Sequence, residues 1–254
     1  MHIRLIRNAT MRLTYNGREL LLDPFLAPSK TLESFAGISP NPLVDLPCPA
    51  VEVLAGAEAV LLSHLHIDHF DPLAQESLAK DITLFCQPGD EKRIAAMGFS
   101  DIRPIMDAVT WQGIRINRCP GRHGSGALAE QMGQVSGFVF RAAGQPTLYW
   151  AGDTVWYDEV QSTIERFRPI VIITHSSGAK FGDSEAIVMD AEQTIKVCQA
   201  APQATIVAIH MESLDHGKVS RADLRKMADN AAIRTHQLLI PADGERILWP
   251  LTAS

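Results

Sequence analysis

The segment Ser63-His64-Leu65-His66-Ile67-Asp68-His69 places three imidazoles and a carboxylate within six positions of a chain that carries nine histidines in all. If the backbone there is extended, His64 and His66 point to one side and can grip one ion together. Asp68 and His69 follow on a turn and would aim at a neighbouring position. Imidazole and carboxylate donors suit zinc, manganese or iron. The alternative is four solvated polar residues on a loop, and the setting argues against it. The run follows a short apolar stretch at 59–62 and precedes Asp71-Pro72, which reads as an N-cap with proline at the first helical position. Strand ends that feed loops are where α/β proteins place ligands and catalysts.

The pattern His64-x-His66-x-Asp68-His69 resembles the signature of the metallo-β-lactamase superfamily. In that family a later histidine, an aspartate in a Gly-Asp-Thr setting and a strand-end histidine complete two metal sites. Here His123 in Gly121-Arg-His-Gly, Asp153 in Ala151-Gly-Asp-Thr and His210 after an apolar run match them in order. The resemblance spans nearly the whole chain, Asp23-Pro24 included. It implies that His64, His66 and His123 hold one divalent ion, that Asp68, His69 and His210 hold a second, and that Asp153 bridges them. Zinc is the expected ion, with manganese or iron as alternatives. The implied activity is hydrolysis by a metal-activated hydroxide on an ester, lactone or phosphoester of a small metabolite, with Asp68 orienting that hydroxide or accepting a proton.

Within the superfamily, Asp23-Pro24, Gly152-Asp153-Thr154 and Asp243-Gly244-Glu245 resemble the branch of L-ascorbate-6-phosphate lactonase-like proteins. Two places depart from it, Thr174-His175-Ser176-Ser177-Gly178 and Met211-Glu212-Ser213-Leu214-Asp215-His216. His175, ending an apolar strand as His210 does, is a candidate proton donor or support for a ligand, with a purely structural histidine as the alternative. His216, Trp156, Tyr157, Arg122 and Lys180 are candidates for substrate contact, each against ordinary packing or solvation.

The elements that would carry these residues read as antiparallel strands first and alternating strands and helices later. Strands are expected at 2–7, 11–15 and 19–22, with Asn16-Gly17 as a type I′ turn. The Pro-, Ser- and Gly-containing stretch 25–49 lacks a period and reads as a lid over the site, with a surface excursion of no role as the alternative. Further strands are expected at 59–62, 82–86, 109–119, 135–150 with a turn at Gly144, 170–174 and 205–209. Helices are expected at 72–80, 89–97, 157–167, 190–199 with an Asp190/Gln193 capping box, and 220–231. A final hairpin would turn at Asp243-Gly244. The expected architecture is one α/β domain over 1–254, a four-layer αββα sandwich of two similar halves, 1–134 and 135–254, with the metal site at one edge.

Composition limits the remaining classes. The chain has 254 residues, 46% hydrophobic and 20% charged, with a net charge of −6. That suits a globular enzyme with a small-molecule substrate, and gives no footprint for nucleic acid. It disfavours the rival reading of a phosphodiesterase or nuclease, while a non-catalytic metal-binding protein is disfavoured by the complete ligand set. No apolar run is long enough for a membrane helix, and Met1-His2-Ile3-Arg4 enters strand-like sequence without a signal-peptide pattern, so a cytoplasmic location is expected. Cys48, Cys86, Cys119 and Cys198 are scattered and read as reduced thiols, with Cys119, four residues before His123, as a minor alternative ligand at the metal pocket. A homo-oligomer is compatible with all of this.

Overall fold

The computed structural model describes residues 1–250. Its first sheet grows from the amino terminus. β1 (His2–Arg7), β2 (Thr10–Tyr15) and β3 (Arg18–Leu22) form an antiparallel meander. Asn16 and Gly17 close the second turn with φ of 51° and 71°, the left-handed pair that an Asn-Gly hairpin requires. β4 (Ala59–Leu61), β5 (Thr83–Cys86) and β6 (Ile102–Pro104) then add in parallel to β3.

The second sheet repeats the scheme. β7 (Ala108–Trp111), β8 (Ile114–Gly121), β9 (Val135–Arg141) and β10 (Leu148–Trp150) pair antiparallel. β11 (Val171–His175), β12 (Thr205–Ile209) and β13 (Leu238–Leu239) continue in parallel from β10. β14 (Arg246–Leu248) returns to the first sheet and pairs with β1. The division between the sheets therefore falls between Pro104 and Ala108, not at 134/135, which lies inside the second sheet. The expected hairpin at Asp243-Gly244 does not form either, because β13 and β14 belong to different sheets. Partner choice there is decided by β1, more than 230 residues away, and not by the turn.

Helices cover the two outer faces. α1 (Ala50–Leu54), α2 (Pro72–Ser77) and α3 (Glu91–Ala96) pack Val53, Ala74 and Ile94 against Leu21, Val60 and Leu84 of the first sheet. α4 (Gly126–Met132) lies between β8 and β9. α5 (Asp158–Phe167), α6 (Ala191–Ala200) and α7 (Arg221–Asn230) pack Val160, Ile164, Ile195 and Leu224 against Val139, Ile172 and Ile206 of the second. Between the sheets lies a shared core with Leu5, Leu13, Leu22, Phe138, Phe140, Trp150 and Ile173. Alternation explains the sorting. Phe138 and Phe140 face inward while Val139 faces the helices, and β11 is buried on both faces as a parallel strand between layers must be. The result is an αββα sandwich.

Capping is partly as expected. Asp71 accepts from the backbone N–H of Leu73 and Ala74, and Ser220 with Asp223 makes a complete capping box. Asp190 accepts from Gln193 N–H, but the Gln193 amide oxygen accepts from the Trp156 N–H instead of closing the box. Short α1 and α4 escaped the sequence reading, having no long apolar period.

The stretch 25–49 has no strand or helix beyond an isolated bridge between Leu32 and Asn41. Two buried charges tie it down. The Arg7 guanidinium, fully buried and over the Phe25 ring, donates to the carbonyls of Phe25, Ala27 and Val44. Asp215 accepts from Ser34 Oγ, Asn41 Nδ2 and the N–H groups of Phe35, Ala36, Ile38 and Ser39.

Candidate metal centre

Topology gathers the candidate ligands. β9 is antiparallel to both β8 and β10, so β8, β10, β11 and β12 all run one way and end at one edge. His123, Asp153 and His210 follow three of these ends closely, and His175 is the last residue of β11. From the first sheet, β4 delivers Ser63 to His69 to the same edge. Gly152 lets the Asp153 loop cross close to β9: its φ is 68°, and a Cβ there would lie 2.7 Å from the Ser136 carbonyl. Strands and loops from both sheets therefore enclose one point.

The seven residues proposed as ligands meet there. Nε2 of His69 and of His123 lie 3.2 and 3.4 Å from Asp153 Oδ2, and Nε2 of His64 lies 3.9 Å from it. Asp68 Oδ2 is 3.3 Å from Nε2 of both His69 and His210. His210 Nε2 is 3.7 Å from Asp153 Oδ1. The ring of His66 is 4.4 Å from that of His64 and 5.3 Å from that of His123, centre to centre. Donor atoms of His64, His66 and His123 lie within 4.8 Å of one another, as do those of His69, Asp153, His175 and His210.

This donor set fits divalent cations. Nε2 of His64, His69 and His210 are buried without a hydrogen-bond partner among the described residues, which is costly unless something else binds them. The other ring nitrogen is in each case held. Nδ1 of His69 faces Asp23 Oδ2 at 2.6 Å, that of His123 donates to the Ile187 carbonyl at 2.8 Å, and that of His64 lies 2.9 Å from Ser63 Oγ. His210 Nδ1 lies 3.3 Å from Ser177 Oγ. With Nδ1 carrying the proton, each Nε2 lone pair points inward, the arrangement in which histidine ligates metals.

Electrostatics agree. Burial lowers His123 to about 4, and burial together with the neighbouring His69 and His66 drives His64 well below its ordinary value. Burial opposes charge on Asp68 and Asp153, yet the facing His69 and His210 rings outweigh it and hold both carboxyls well below the usual range. Burial alone would lower His69 too, but Asp153, Asp68 and Asp23 surround it and raise it strongly. Concentrated negative charge of this kind favours a bound cation.

The centre opens into a cavity of about 310 Å³. Its floor is His66, Asp68, His123 and Asp153, and its walls are Phe35, Ile67, Met132, Phe181, Ile187 and His216. His216 lies edge-on to Phe35 at 5.2 Å and stacks on Phe181 at 5.6 Å. No lysine or arginine lines the cavity among the described residues. A larger cleft of about 420 Å³ lies beside β1 and β2, far from these ligands in its lining, and its Arg4 and Arg12 are already paired with Glu52 and Glu19.

Of the substrate-contact candidates, only His216 lines the cavity. Arg122, Trp156 and Lys180 line a separate hollow with Glu185 and Asp190. Arg122 follows the end of β8 beside His123, but its guanidinium packs over the Tyr157 ring at 4.5 Å and does not enter the cavity. Tyr157 in turn donates its hydroxyl to the Pro120 carbonyl. His175 is also corrected as a proton donor to substrate: it is fully buried behind Asp153, with both ring nitrogens engaged by Asp153 and Trp150. Cys119 packs under the helices with its thiol raised to about 11 by burial, away from the ligands.

Sequence reasoning missed the supports. Asp23, fully buried, accepts from His69, from Ser63 Oγ and from the Ser63 N–H. Asn8 donates Nδ2 to the Asp68 carbonyl at 3.1 Å. The available signals for Asp23 were its place directly after an apolar strand and the Asp23-Pro24 pair in the resemblance, neither of which names its partner. Phe35 and Phe181, isolated aromatics in polar loops, were the available sign of the cavity walls.

Comparison with known proteins agrees with this geometry. The model of the "Beta-lactamase superfamily domain" family matches residues 18–211. The UPF0173 protein YddR of Bacillus subtilis (strain 168) is 36% identical over 251 residues, covering 96% of this chain and 98% of its own. The crystal structure of an isothiocyanate hydrolase from Delia radicum gut bacteria superposes with a TM-score of 0.93 at 36% identity, over 98% of this chain and 99% of that one. A possible metal-dependent hydrolase from Veillonella parvula DSM 2008 gives 0.93 at 35%, over 97% and 98%. No helix among the described residues is long and apolar enough to cross a membrane.

Proposed function

The chain belongs to the β-lactamase superfamily, and from that premise we propose that it is a dinuclear metal-dependent hydrolase of small, uncharged electrophiles, isothiocyanates first among them. The observation that carries this reading is the cavity: ligand-bearing residues form its floor, apolar side chains form most of its walls, and no cationic side chain lines it. An apolar tail fits such walls, whereas a phosphoryl group would look for arginine or lysine. The phosphoester reading and the phosphorylated lactone of the resembling branch lose support accordingly. A small neutral lactone or ester remains compatible.

His64, His66 and His123 would hold one ion and Asp68, His69 and His210 the other, with Asp153 between them. Zinc, manganese or iron held by these residues would supply Lewis acidity and acidify water near neutral pH. The chain's own residues do the rest. Phe35, Phe181 and Ile187 exclude water around the tail and aim the central carbon of R–N=C=S at the floor. Asp68, steadied by Asn8, is placed to orient water or take its proton. Addition of water across C=N forms a C–O bond and an N–H bond. The resulting thiocarbamic acid then breaks its C–N bond, its proton passes to nitrogen, and amine plus carbonyl sulfide result.

The similarity to an isothiocyanate hydrolase at 36% identity over 98% of this chain supports the substrate class. The test is an assay of purified protein, with and without added zinc or manganese, against benzyl and allyl isothiocyanate, a neutral lactone and a phosphodiester. Metal-dependent release of amine from the isothiocyanates is expected. Turnover of the phosphodiester alone would contradict the reading.

A further inference from the structure

β10 ends on Trp150, β11 ends on His175, and Asp153 stands just beyond them. The Trp150 indole N–H donates to Nε2 of His175 across 3.0 Å, and His175 Nδ1 lies 2.5 Å from Asp153 Oδ1. Trp150 and His175 are fully buried and Asp153 nearly so. An indole nitrogen is a donor only. Nε2 must therefore present its lone pair, and in the neutral ring the proton sits on Nδ1 and is given to Oδ1. The two hydrogen bonds run in one direction, from Trp150 through His175 to Asp153.

Two consequences follow. A ring nitrogen of His175 lies within 4.8 Å of donor atoms of His69, Asp153 and His210, and Nδ1 is the nitrogen that faces Asp153, so on distance alone His175 could be another ligand. The tautomer set by Trp150 denies it that role, because its lone pair is on the wrong nitrogen. In addition, a carboxylate rotates easily about its last torsion, so nothing intrinsic to Asp153 decides which oxygen faces the ligand cluster. The His175 N–H holds Oδ1 back and leaves Oδ2 toward Nε2 of His69, His123 and His64 at 3.2, 3.4 and 3.9 Å.

The geometry points to Trp150 and His175 as positioning residues that turn Asp153 so that Oδ2 joins the two ligand groups, with His175 itself outside the metal sites. This rests on the dinuclear reading above and deepens it. Supports of this kind are worth roughly 10–100-fold in metal affinity.

The test compares wild type with H175L, H175N and W150F by chelator-competition affinity for zinc, by the visible spectrum of the cobalt-loaded protein and by far-UV circular dichroism. Asparagine can present an N–H close to the place of Nδ1, and leucine cannot. H175L should bind metal roughly 10–100-fold more weakly with its fold kept, H175N should recover most of that loss, and W150F should alter the cobalt spectrum. H175L matching wild type in affinity and spectrum would overturn the inference. So would H175N losing a nitrogen ligand from the cobalt spectrum as H175L does, which would make His175 a ligand. If H175L does not fold, H175N and W150F carry the test. A wild-type chain that binds no divalent ion would instead overturn the dinuclear reading itself.

Discussion

Nδ1 of His69 lies 2.6 Å from Oδ2 of Asp23, a carboxylate sealed from solvent at the end of the third strand. The same oxygen accepts from the Ser63 hydroxyl, which in turn faces Nδ1 of His64. One aspartate thus orients two proposed ligands of different ions without touching the cavity.

Replacing Asp23 with alanine should weaken metal binding about 10–100-fold, because His69 and His64 lose the partner that fixes their tautomer and aim. Activity measured at saturating metal should recover much of the loss, while KM stays near wild type. A D23A chain with wild-type metal affinity would remove Asp23 from the centre.

The cavity wall gives a second expectation. Phe181→Ala removes part of one aromatic face beside His216, and should raise KM for benzyl isothiocyanate on the order of tenfold with kcat little changed. A fall in kcat at constant KM would mean that Phe181 acts on the reacting atoms and not on the tail.

A charge introduced into the wall is a sharper probe. Ile187→Arg places a cation in a cavity whose lining has none among the described residues, and should depress turnover of neutral isothiocyanates at least about tenfold through lost apolar contact and a buried charge. Kinetics on neutral and anionic substrates side by side check it. Unchanged turnover of the neutral substrate would show that the tail binds elsewhere.

Asp215 makes a pH prediction. Burial would raise its carboxyl, but hydrogen bonds from Ser34, Asn41 and the backbone of residues 35 and 36 overcome that and hold it below the usual range. A depressed folded pKa means that its stabilisation is present above the unfolded value of about 3.9 and is lost as pH falls below it. The segment it ties, residues 34–41, should become protease-sensitive only as pH drops below about 4 in wild type, and at neutral pH already in D215A. We propose that this segment, carrying Phe35 to the cavity, acts as a lid. Equal proteolysis of both proteins at pH 7 would contradict the tether.

The comparison between sequence and structure has a physical pattern. His64, His66, Asp68 and His69 were legible because four donors lie within six residues and their spacing alone sets their directions. His123, Asp153 and His210 were legible through resemblance and through their places after apolar strands. Asp23 entered only through the resemblance, and its role as the partner of His69 was not legible, since the two are 46 residues apart and only the packed fold brings them together. Arg122, Trp156 and Tyr157 lie away from the cavity lining because nearness in sequence to a ligand does not fix the side of the chain a residue faces, and Lys180, far in sequence from any ligand, lines a separate hollow. The division of the halves and the last strand were misread for a related reason: local turns do not choose a strand's sheet.

We propose that residues from both sheets hold two divalent ions. Zinc titration of the apo-protein by calorimetry, read with the metal content of the loaded chain, tests it most directly. Two ions per chain are expected for wild type, with D153A and H66A each losing tight binding at one or both sites while keeping their circular dichroism. Wild type taking up no ion, or D153A binding as wild type does, would contradict the account.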